Sequence, residues 1–364
     1  ERAGCKATLT ELPATLTEQA PRTVVDGSDE AYLLFTSGST GEPKGVPISH
    51  RGVADYLAFA GTHYLDGSTP PVVPLFSALT FDLTVTSIYL PLLHGGELVI
   101  VNADGVPGLK QIASEPRLNW MKATPSHLEL LLRMLPAEHQ MQTIVIGGEA
   151  LSARLTRDLW SWQPSLRMFN EYGPTEAVVG CMIHEATTDE TFAEVPIGRP
   201  APGVELRVVD SYDNDVPIGS PGHLLISSRG VTDGYLRTTS DEAFGSDPGS
   251  GPFVQLDAKR FYRSGDLVRF VAPGVLTYLG RADAQIKVGG IRLDPTEVEF
   301  QLEQHPAVRR AAVRLDKTQT LTAWFETAGD ASATPLQLRT WISDRVPSHA
   351  VPVAYVPVSE LPTS

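Results

Sequence analysis

Short apolar runs alternate with stretches of helical periodicity from residue 31 to about residue 185, and this alternation constrains the fold more than any other feature. The runs at 31–35, 71–76, 97–101, 118–122, 142–146 and 166–169 predict strands, and the intervals 49–60, 84–93, 125–135 and 152–162 predict helices. Strands separated by helices predict a largely parallel sheet with helices on both faces. The helix boundaries carry their own signals. Thr124 stands as an N-cap before Pro125, Ser152 can open the following helix, and Gly95-Gly96 can close the second one.

After about residue 195 the texture changes. Pro196, Pro200, Pro202, Pro217 and Pro221 punctuate short runs at 204–210, 222–228, 267–271 and 275–280. A small β-rich, barrel-like part fits these better than further strand–helix units. Phe244 to Gly251 reads as a surface loop. From Ala284 a short β region, a helix after Asp294-Pro295, strands near 308–315 and 320–326 and a helix near 336–346 predict a small α+β domain. The expected fold class is therefore α/β. A large domain covers 1–283, with an α/β part at 31–195 and a β-rich part at 196–283, and a small domain covers 284–364.

Charge and composition narrow the partners. Net charge is 29 − 43 = −14, and no basic tract of five or more residues occurs, which argues against nucleic-acid binding through phosphates. No stretch approaches the roughly 20 apolar residues of a membrane span. Cys5 and Cys181 lie far apart without metal spacing, and the start lacks a signal-peptide pattern, so a reducing cytoplasm is the expected compartment. The beginning at Glu1 and the end at Leu361-Pro362-Thr363-Ser364 read as cut ends.

Chemistry concentrates in a few strings. Thr36-Ser37-Gly38-Ser39-Thr40-Gly41-Glu42-Pro43-Lys44-Gly45 follows the first apolar run. Its glycines let backbone N–H groups approach an anion, its hydroxyls donate hydrogen bonds, and Lys44 adds a positive charge, which suits a polyphosphate. The string is not that of the P-loop, since Gly45 follows Lys44 where Ser or Thr belongs. Asn170-Glu171-Tyr172-Gly173-Pro174-Thr175-Glu176 follows a strand, at the sheet end where open α/β folds bind ligands. There Tyr172 offers a flat face to a base, and Glu176 offers carboxylate oxygen to Mg²⁺. Tyr262-Arg263-Ser264-Gly265-Asp266 ends in a carboxylate suited to ribose hydroxyls, and residues 280–292, Gly280 to Arg292, are rich in charge and glycine.

Taken in order, these strings resemble those of the adenylate-forming (AMP-binding) superfamily, most closely an amino-acid adenylation domain of a non-ribosomal peptide synthetase. Phe81-Asp82-Leu83-Thr84, Gly147-Gly148-Glu149-Ala150, Pro196-Ile197-Gly198-Arg199-Pro200 and Gly234-Tyr235-Leu236 extend the resemblance over essentially the whole chain. It implies that MgATP activates an amino acid as an aminoacyl-adenylate, which then passes to the phosphopantetheine thiol of a peptidyl carrier protein. A small helper protein is a further candidate partner. The resemblance places Thr36, Ser37, Gly38, Ser39, Thr40, Gly41 and Lys44 on the phosphates, and adenine against Tyr172 and the backbone of Gly148, Glu149 and Ala150. Asn170, Gly173 and Tyr278 complete the nucleotide site. Asp266 falls on the ribose with Arg281 nearby, Thr175 and Glu176 fall on phosphate and Mg²⁺, and Asp283 falls at the family's hinge. The family also carries a lysine shortly after a Leu-Pro step near its C-terminal end, and here the sequence ends before one.

Asp82 matches the aspartate with which amino-acid-activating members hold the α-ammonium, although a helix N-cap is an alternative role for it. The family's pocket positions fall on Asp82, Leu83, Thr86, Lys122, Val145, Gly147, Glu171, Val179 and Gly180. A cation and an anion in a desolvated place must face each other or a polar substrate. A primary carboxamide would satisfy both, its oxygen accepting from Lys122 and its NH₂ donating to Glu171. Asparagine is therefore the expected substrate, with aspartate or a β-substituted relative second, and a scaffold salt bridge as the alternative for the pair. An acyl- or aryl-acid ligase and a non-catalytic nucleotide-binding module are the other readings of the chain.

Overall fold

The computed structural model describes residues 24–36, 43–103, 105–136, 139–188, 192–236, 243–244, 251–283, 285–316, 320–328 and 333–361. Ser37 to Glu42, six residues of the polar loop, lie outside them, as do 245–250 and the last three residues.

Strands β1 (Glu30–Thr36) and β2 (Lys44–Ser49) form an antiparallel hairpin in which Thr36 is the register partner of Lys44. The seven residues between them are too few for the crossover that a parallel pair needs. Helix α1 (His50–Tyr64) follows, with the Ser49 hydroxyl accepting from Gly52 N–H as its cap. Then come β3 (Val72–Leu75), α2 (Leu83–Leu93), β4 (Glu97–Ile100) and α3 (Gly105–Ser114). The sequence reading missed α3, whose Gly105, Pro107 and Gly108 speak against a helix locally. Its buried Leu109, Ile112 and Ala113 supply the tertiary contacts that override propensity.

The sheet that carries most of the candidate site is built from β5 (Trp120–Ala123), α4 (Pro125–Leu131), β6 (Thr143–Gly147), α5 (Ala153–Trp162), β7 (Arg167–Tyr172), β8 (Met182–Glu185) and β9 (Arg199–Pro200). Thr124 and Ser152 cap α4 and α5 through their hydroxyls. Strands β5, β6 and β7 are parallel, whereas β8 and β9 join antiparallel. With the hairpin at β1 and β2, this makes the α/β part mixed, which corrects the expectation of a largely parallel sheet. The chain reverses sharply after β7, where Gly173 has no room for a Cβ beside the Val179 carbonyl at 2.5 Å, and no crossover intervenes.

Side chains alternate across this sheet and divide its cores. Trp120, Val145 and Phe169 pack with Tyr56, Leu57 and Ala60 of α1 and with Val85 and Leu90 of α2. Met121, Ile144, Ile146 and Met168 pack on the opposite face with α3, α4 and α5. Lys122, two residues beyond Trp120, and Glu171, two beyond Phe169, thus project toward α1 and α2.

Strands β10 (Glu205–Val209), β11 (Gly222–Ser227), β14 (Phe253–Leu256), β15 (Lys259–Ala272) and β16 (Val275–Arg281) form a five-stranded antiparallel sheet, while β12 (Tyr235–Leu236) and β13 (Ala243–Phe244) extend the first hairpin. Phe244, expected at the start of a loop, is a strand residue. Beyond Asp283, β17 (Ile286–Val288) and β18 (Ile291–Leu293) make a hairpin. They are followed by α6 (Pro295–Glu303), β19 (Val308–Leu315), β20 (Leu321–Thr327), α7 (Pro335–Ser343) and β21 (Ala354–Val358). Leu293, Val298, Val313, Phe325 and Ile342 belong to a separate hydrophobic core confined to this segment.

Candidate active site

A cavity of about 410 Å³ opens at the carboxyl ends of β5, β6 and β7. The sheet contributes Lys122, Gly147, Gly148, Glu171 and Tyr172, and the loop after β7 contributes Gly173, Pro174, Thr175 and Val179. Asp82 and Leu83 at the start of α2, Thr36 at the end of β1, and Asp266 and Arg281 also line it. A neighbouring cavity of about 40 Å³ is bordered by Glu149, Ala150, Asn170, Tyr172 and Tyr278. The tip of the β17–β18 hairpin borders the larger cavity, with Gly290 against Thr124 and Gly148. A Cβ on Gly290 would meet Thr124 Cγ2 at 2.6 Å, and both glycines have positive φ, at +82° and +85°. Backbone meets backbone there because neither residue carries a side chain.

Asp82 occupies the N-cap position of α2 but its side chain makes no capping bond, so the alternative reading of it as a helix cap does not describe this structure. It is only 7% exposed. Burial pushes its carboxyl up to about 6, opposed by a hydrogen bond from Thr175 and by the charge of Lys122. The cost of keeping this carboxylate ionised would be relieved by a cation bound beside it.

At the floor, Lys122 and Glu171 are 2% and 3% exposed and form an ion pair. Lys122 Nζ also donates to Tyr56 Oη and to Thr86 Oγ1, each at 3.0 Å. Glu171 Oε1 accepts from the Tyr56 hydroxyl at 2.9 Å and from the Tyr64 hydroxyl at 2.6 Å. Gly180 makes the space for this carboxylate, since a Cβ there would fall 2.3 Å from Glu171 Cδ. Val145 lies fully buried in the core beneath. The expectation that Lys122 offers a free N–H to a substrate carbonyl is corrected here, because its three donors already have three acceptors. Tyr56 and Tyr64 were not anticipated. Their signal was available: both fall on the buried face of α1, and a buried phenol needs a partner for its hydroxyl.

Several residues expected at the nucleotide gather around Asp266. It accepts from the Tyr172 hydroxyl and pairs with Arg281 at 2.8 Å, and Arg281 in turn pairs with Asp283 at 2.6 Å. Burial, then the charge of Asp266, holds the Tyr172 phenol well above its ordinary value. The rings of Tyr172 and Tyr278 lie 6.5 Å apart, with Lys287 Nζ 5.8 Å from each centroid. Asn170 donates to the carbonyls of Val195 and Pro196, at 3.0 and 2.9 Å, and so ties β7 to the following segment. The Glu149 side chain accepts from Ser126 N–H and hydroxyl at the start of α4, which leaves its backbone as the part beside the cavity.

Glu176 is 1% exposed and accepts from the Tyr235 hydroxyl at 2.8 Å. Arg292, in β18, lies 3.3 Å and 3.4 Å from its two carboxylate oxygens. Among the described residues no group of three or more acidic, histidine or cysteine side chains could cage a metal. Glu176 offers the hard carboxylate oxygens that Mg²⁺ takes. Lys44 stands at the other side, its ammonium 5.3 Å from the Tyr235 ring centroid. Its value is lowered by burial and by Arg292, with Glu176 opposing. Just after Glu176, Val178 and Val179 have φ of 61° and 53°. This region is strained for β-branched residues, and here it turns the chain back toward the pocket.

A profile of the AMP-binding enzymes matches residues 3–236. Bacitracin synthase 3 of Bacillus licheniformis is 35% identical over 341 residues, 91% of this chain and 5% of that protein. Tyrocidine synthase 3 of Brevibacillus parabrevis is 36% identical over 358 residues, 95% of this chain and 5% of that protein. The chain thus spans a small fraction of the length of these relatives. Among solved structures, the Vibrio cholerae adenylation domain AlmE in complex with glycyl-adenosine-5'-phosphate has a TM-score of 0.80 at 26% identity, covering 93% of this chain and 65% of that one. An NRPS protein containing adenylation and PCP domains, bound to a vinylsulfonamide inhibitor, has a TM-score of 0.81 at 25% identity, covering 98% and 62%. Among the described residues, no helix is long and apolar enough to cross a membrane. This chain belongs to the AMP-binding enzyme family.

Proposed function

We propose that this chain activates an amino acid, L-asparagine, with MgATP as an adenylation domain of non-ribosomal peptide synthesis. The observation that carries the reading is Asp82, a buried carboxyl that lines the cavity and is not used to cap its helix. It would hold the α-ammonium, leaving the carboxylate to attack the α-phosphorus of ATP. The new P–O bond forms as the bond to pyrophosphate breaks, and catalysis rests on positioning and charge neutralisation. Lys44 and the loop hydroxyls would steady the departing phosphates, Asp266 the ribose, and Tyr172 the base. Glu176 would hold Mg²⁺, which when bound neutralises phosphate charge. The product would be an aminoacyl-adenylate, delivered to the phosphopantetheine thiol of a carrier protein as a thioester. The domain assignment follows the same reading, with Asp283 as hinge between residues 1–283 and 284–364.

Two features support the carboxamide. The pocket resembles the family's asparagine-type pockets, and Glu171 borders the cavity as an acceptor for an NH₂ group. Amino-acid-dependent ATP–pyrophosphate exchange across all twenty amino acids tests the proposal, using the full-length polypeptide that carries this sequence. A maximum at asparagine is expected. A maximum at aspartate would retain the enzyme class and remove the amide reading, and no exchange with any amino acid would remove both.

A further inference from the structure

The Lys122–Glu171 pair is embedded in a set of hydroxyls whose protons can all be assigned. Lys122 Nζ has three N–H groups and three acceptors: Glu171 Oε2, Tyr56 Oη and Thr86 Oγ1. Glu171 is acceptor-only, so the single proton of Tyr56 goes to Glu171 Oε1, and the proton of Tyr64 goes to the same oxygen. The 2.5 Å contact between Tyr56 Oη and Thr86 Oγ1 is then donated by Thr86. Burial, then the charge of Glu171, holds both phenols well above their ordinary value, so both remain donors. No hydrogen is left over. Only acceptor lone pairs remain, on Glu171 Oε2 and Thr86 Oγ1. The set is also neutral overall, so a charged guest would bring uncompensated charge into a buried place.

We infer that Tyr56 is a positioning residue for substrate selection. By taking one N–H of Lys122 and donating to Glu171, it leaves the floor able only to accept, so the pocket admits a neutral side chain ending in a donor and refuses the isosteric carboxylate. The inference rests on the asparagine reading and gives it a physical cause. A carboxamide NH₂ meets a free acceptor, whereas an aspartate side chain meets acceptors only and no donor. A site built around a hydrogen bond discriminates strongly against the analogue that cannot make it. Tyr56 lies on α1, away from the sheet-end positions that line the cavity, and acts through Lys122.

The test is the ratio of kcat/KM for asparagine to that for aspartate in pyrophosphate exchange on the full-length polypeptide. Because both substrates are compared on one preparation, partial folding cancels. Tyr56→Phe frees one Lys122 N–H for a carboxylate, and the ratio should fall by about tenfold or more. Thr86→Val removes another acceptor of Lys122 and should move the ratio the same way. Tyr64→Phe deletes the same chemical group beside the same carboxylate but frees no donor, and should keep the ratio near wild type. Equilibrium binding of asparaginyl and aspartyl sulfamoyl-adenosine by calorimetry reads the same ratio if a variant turns over too slowly. A Tyr56→Phe ratio that stays at the wild-type value, or moves no further than that of Tyr64→Phe, overturns the inference while leaving the asparagine reading intact. A wild type that accepts aspartate as well as asparagine overturns both.

Discussion

Arg292 Nη1 lies 3.3 Å from Glu176 Oε1, so a guanidinium from β18 occupies the face of the carboxylate proposed to hold Mg²⁺. Two cations cannot share one buried carboxylate at that distance without repulsion. Arg292→Ala is expected to lower, several-fold, the Mg²⁺ concentration needed for half-maximal pyrophosphate exchange. Arg292→Lys, which keeps a cation without the planar fork, should fall between. A titration of MgCl₂ at fixed total ATP checks this, and an unchanged midpoint in both variants would contradict it.

The proposed role of Asp82 as holder of the α-ammonium connects substrate binding to pH. Its ionised form is the one that can hold an ammonium, and burial places its value at about 6. Apparent affinity for the amino acid should therefore weaken by about tenfold per pH unit below that value. Asp82→Asn should cost on the order of 100-fold or more in kcat/KM for the amino acid at pH 7.5, as when one partner of a buried charge pair is lost, and leave no such pH limb. Exchange profiles between pH 5 and 8 read both effects.

The same carboxyl should destabilise the empty protein. Its folded value lies above the unfolded one, so its contribution to stability is complete below about pH 4 and lost as pH rises through about 6. Asp82→Asn is expected to raise stability at pH 7 by up to about 3 kcal/mol, the free energy that separates a carboxyl titrating near 6 from one titrating near 4. The gain should vanish near pH 4. Urea denaturation of both proteins at the two pH values measures it, and equal stability at pH 7 would rule it out.

Gly180 is a packing requirement of the pocket. A Cβ there would stand 2.3 Å from Glu171 Cδ, and that side chain is held by two tyrosines and a lysine. Gly180→Ala should destabilise the fold by about 1–3 kcal/mol, as overpacking does, and raise the KM for the amino acid more than that for ATP. Denaturation midpoints together with the two KM values distinguish this from a purely local effect.

Asp266 holds two groups at once, the Tyr172 hydroxyl and the Arg281 guanidinium. Its removal leaves Arg281, 6% exposed, without one of its buried partners. Asp266→Ala should cost about 3–5 kcal/mol of stability. Asp266→Asn should fold better and lose discrimination between ATP and its 2′- and 3′-deoxy analogues. Comparing exchange with the three nucleotides tests the proposed ribose contact directly.

Much of this molecule was legible in the amino-acid sequence. Thr124, Ser152 and Gly95-Gly96 mark helix ends that the structure places at α4, α5 and the close of α2. The strands around 120, 145 and 169 appear where apolar runs predict them, because buried parallel strands must be apolar on both faces. Helix α3 was not legible, since its local residues oppose a helix and only packing of Leu109 and Ile112 supports one. The antiparallel partners β8 and β9 were missed because strand direction depends on the path of the turn after Tyr172.

The sequence by itself marked the candidates: Glu176 and Asp266 through the polar strings they end, and Asp82, Lys122 and Glu171 through the pocket positions that the family resemblance implies. Only the tertiary structure decided how their hydrogen-bonding capacity is used. Period-two alternation aims Lys122 and Glu171 at one face of the sheet, but the partners they meet there, Tyr56 and Tyr64, come from a helix more than fifty residues earlier in the chain. Saturation of a buried donor depends on which acceptors lie within about 3 Å, and that distance is set by packing between elements and by no local pattern.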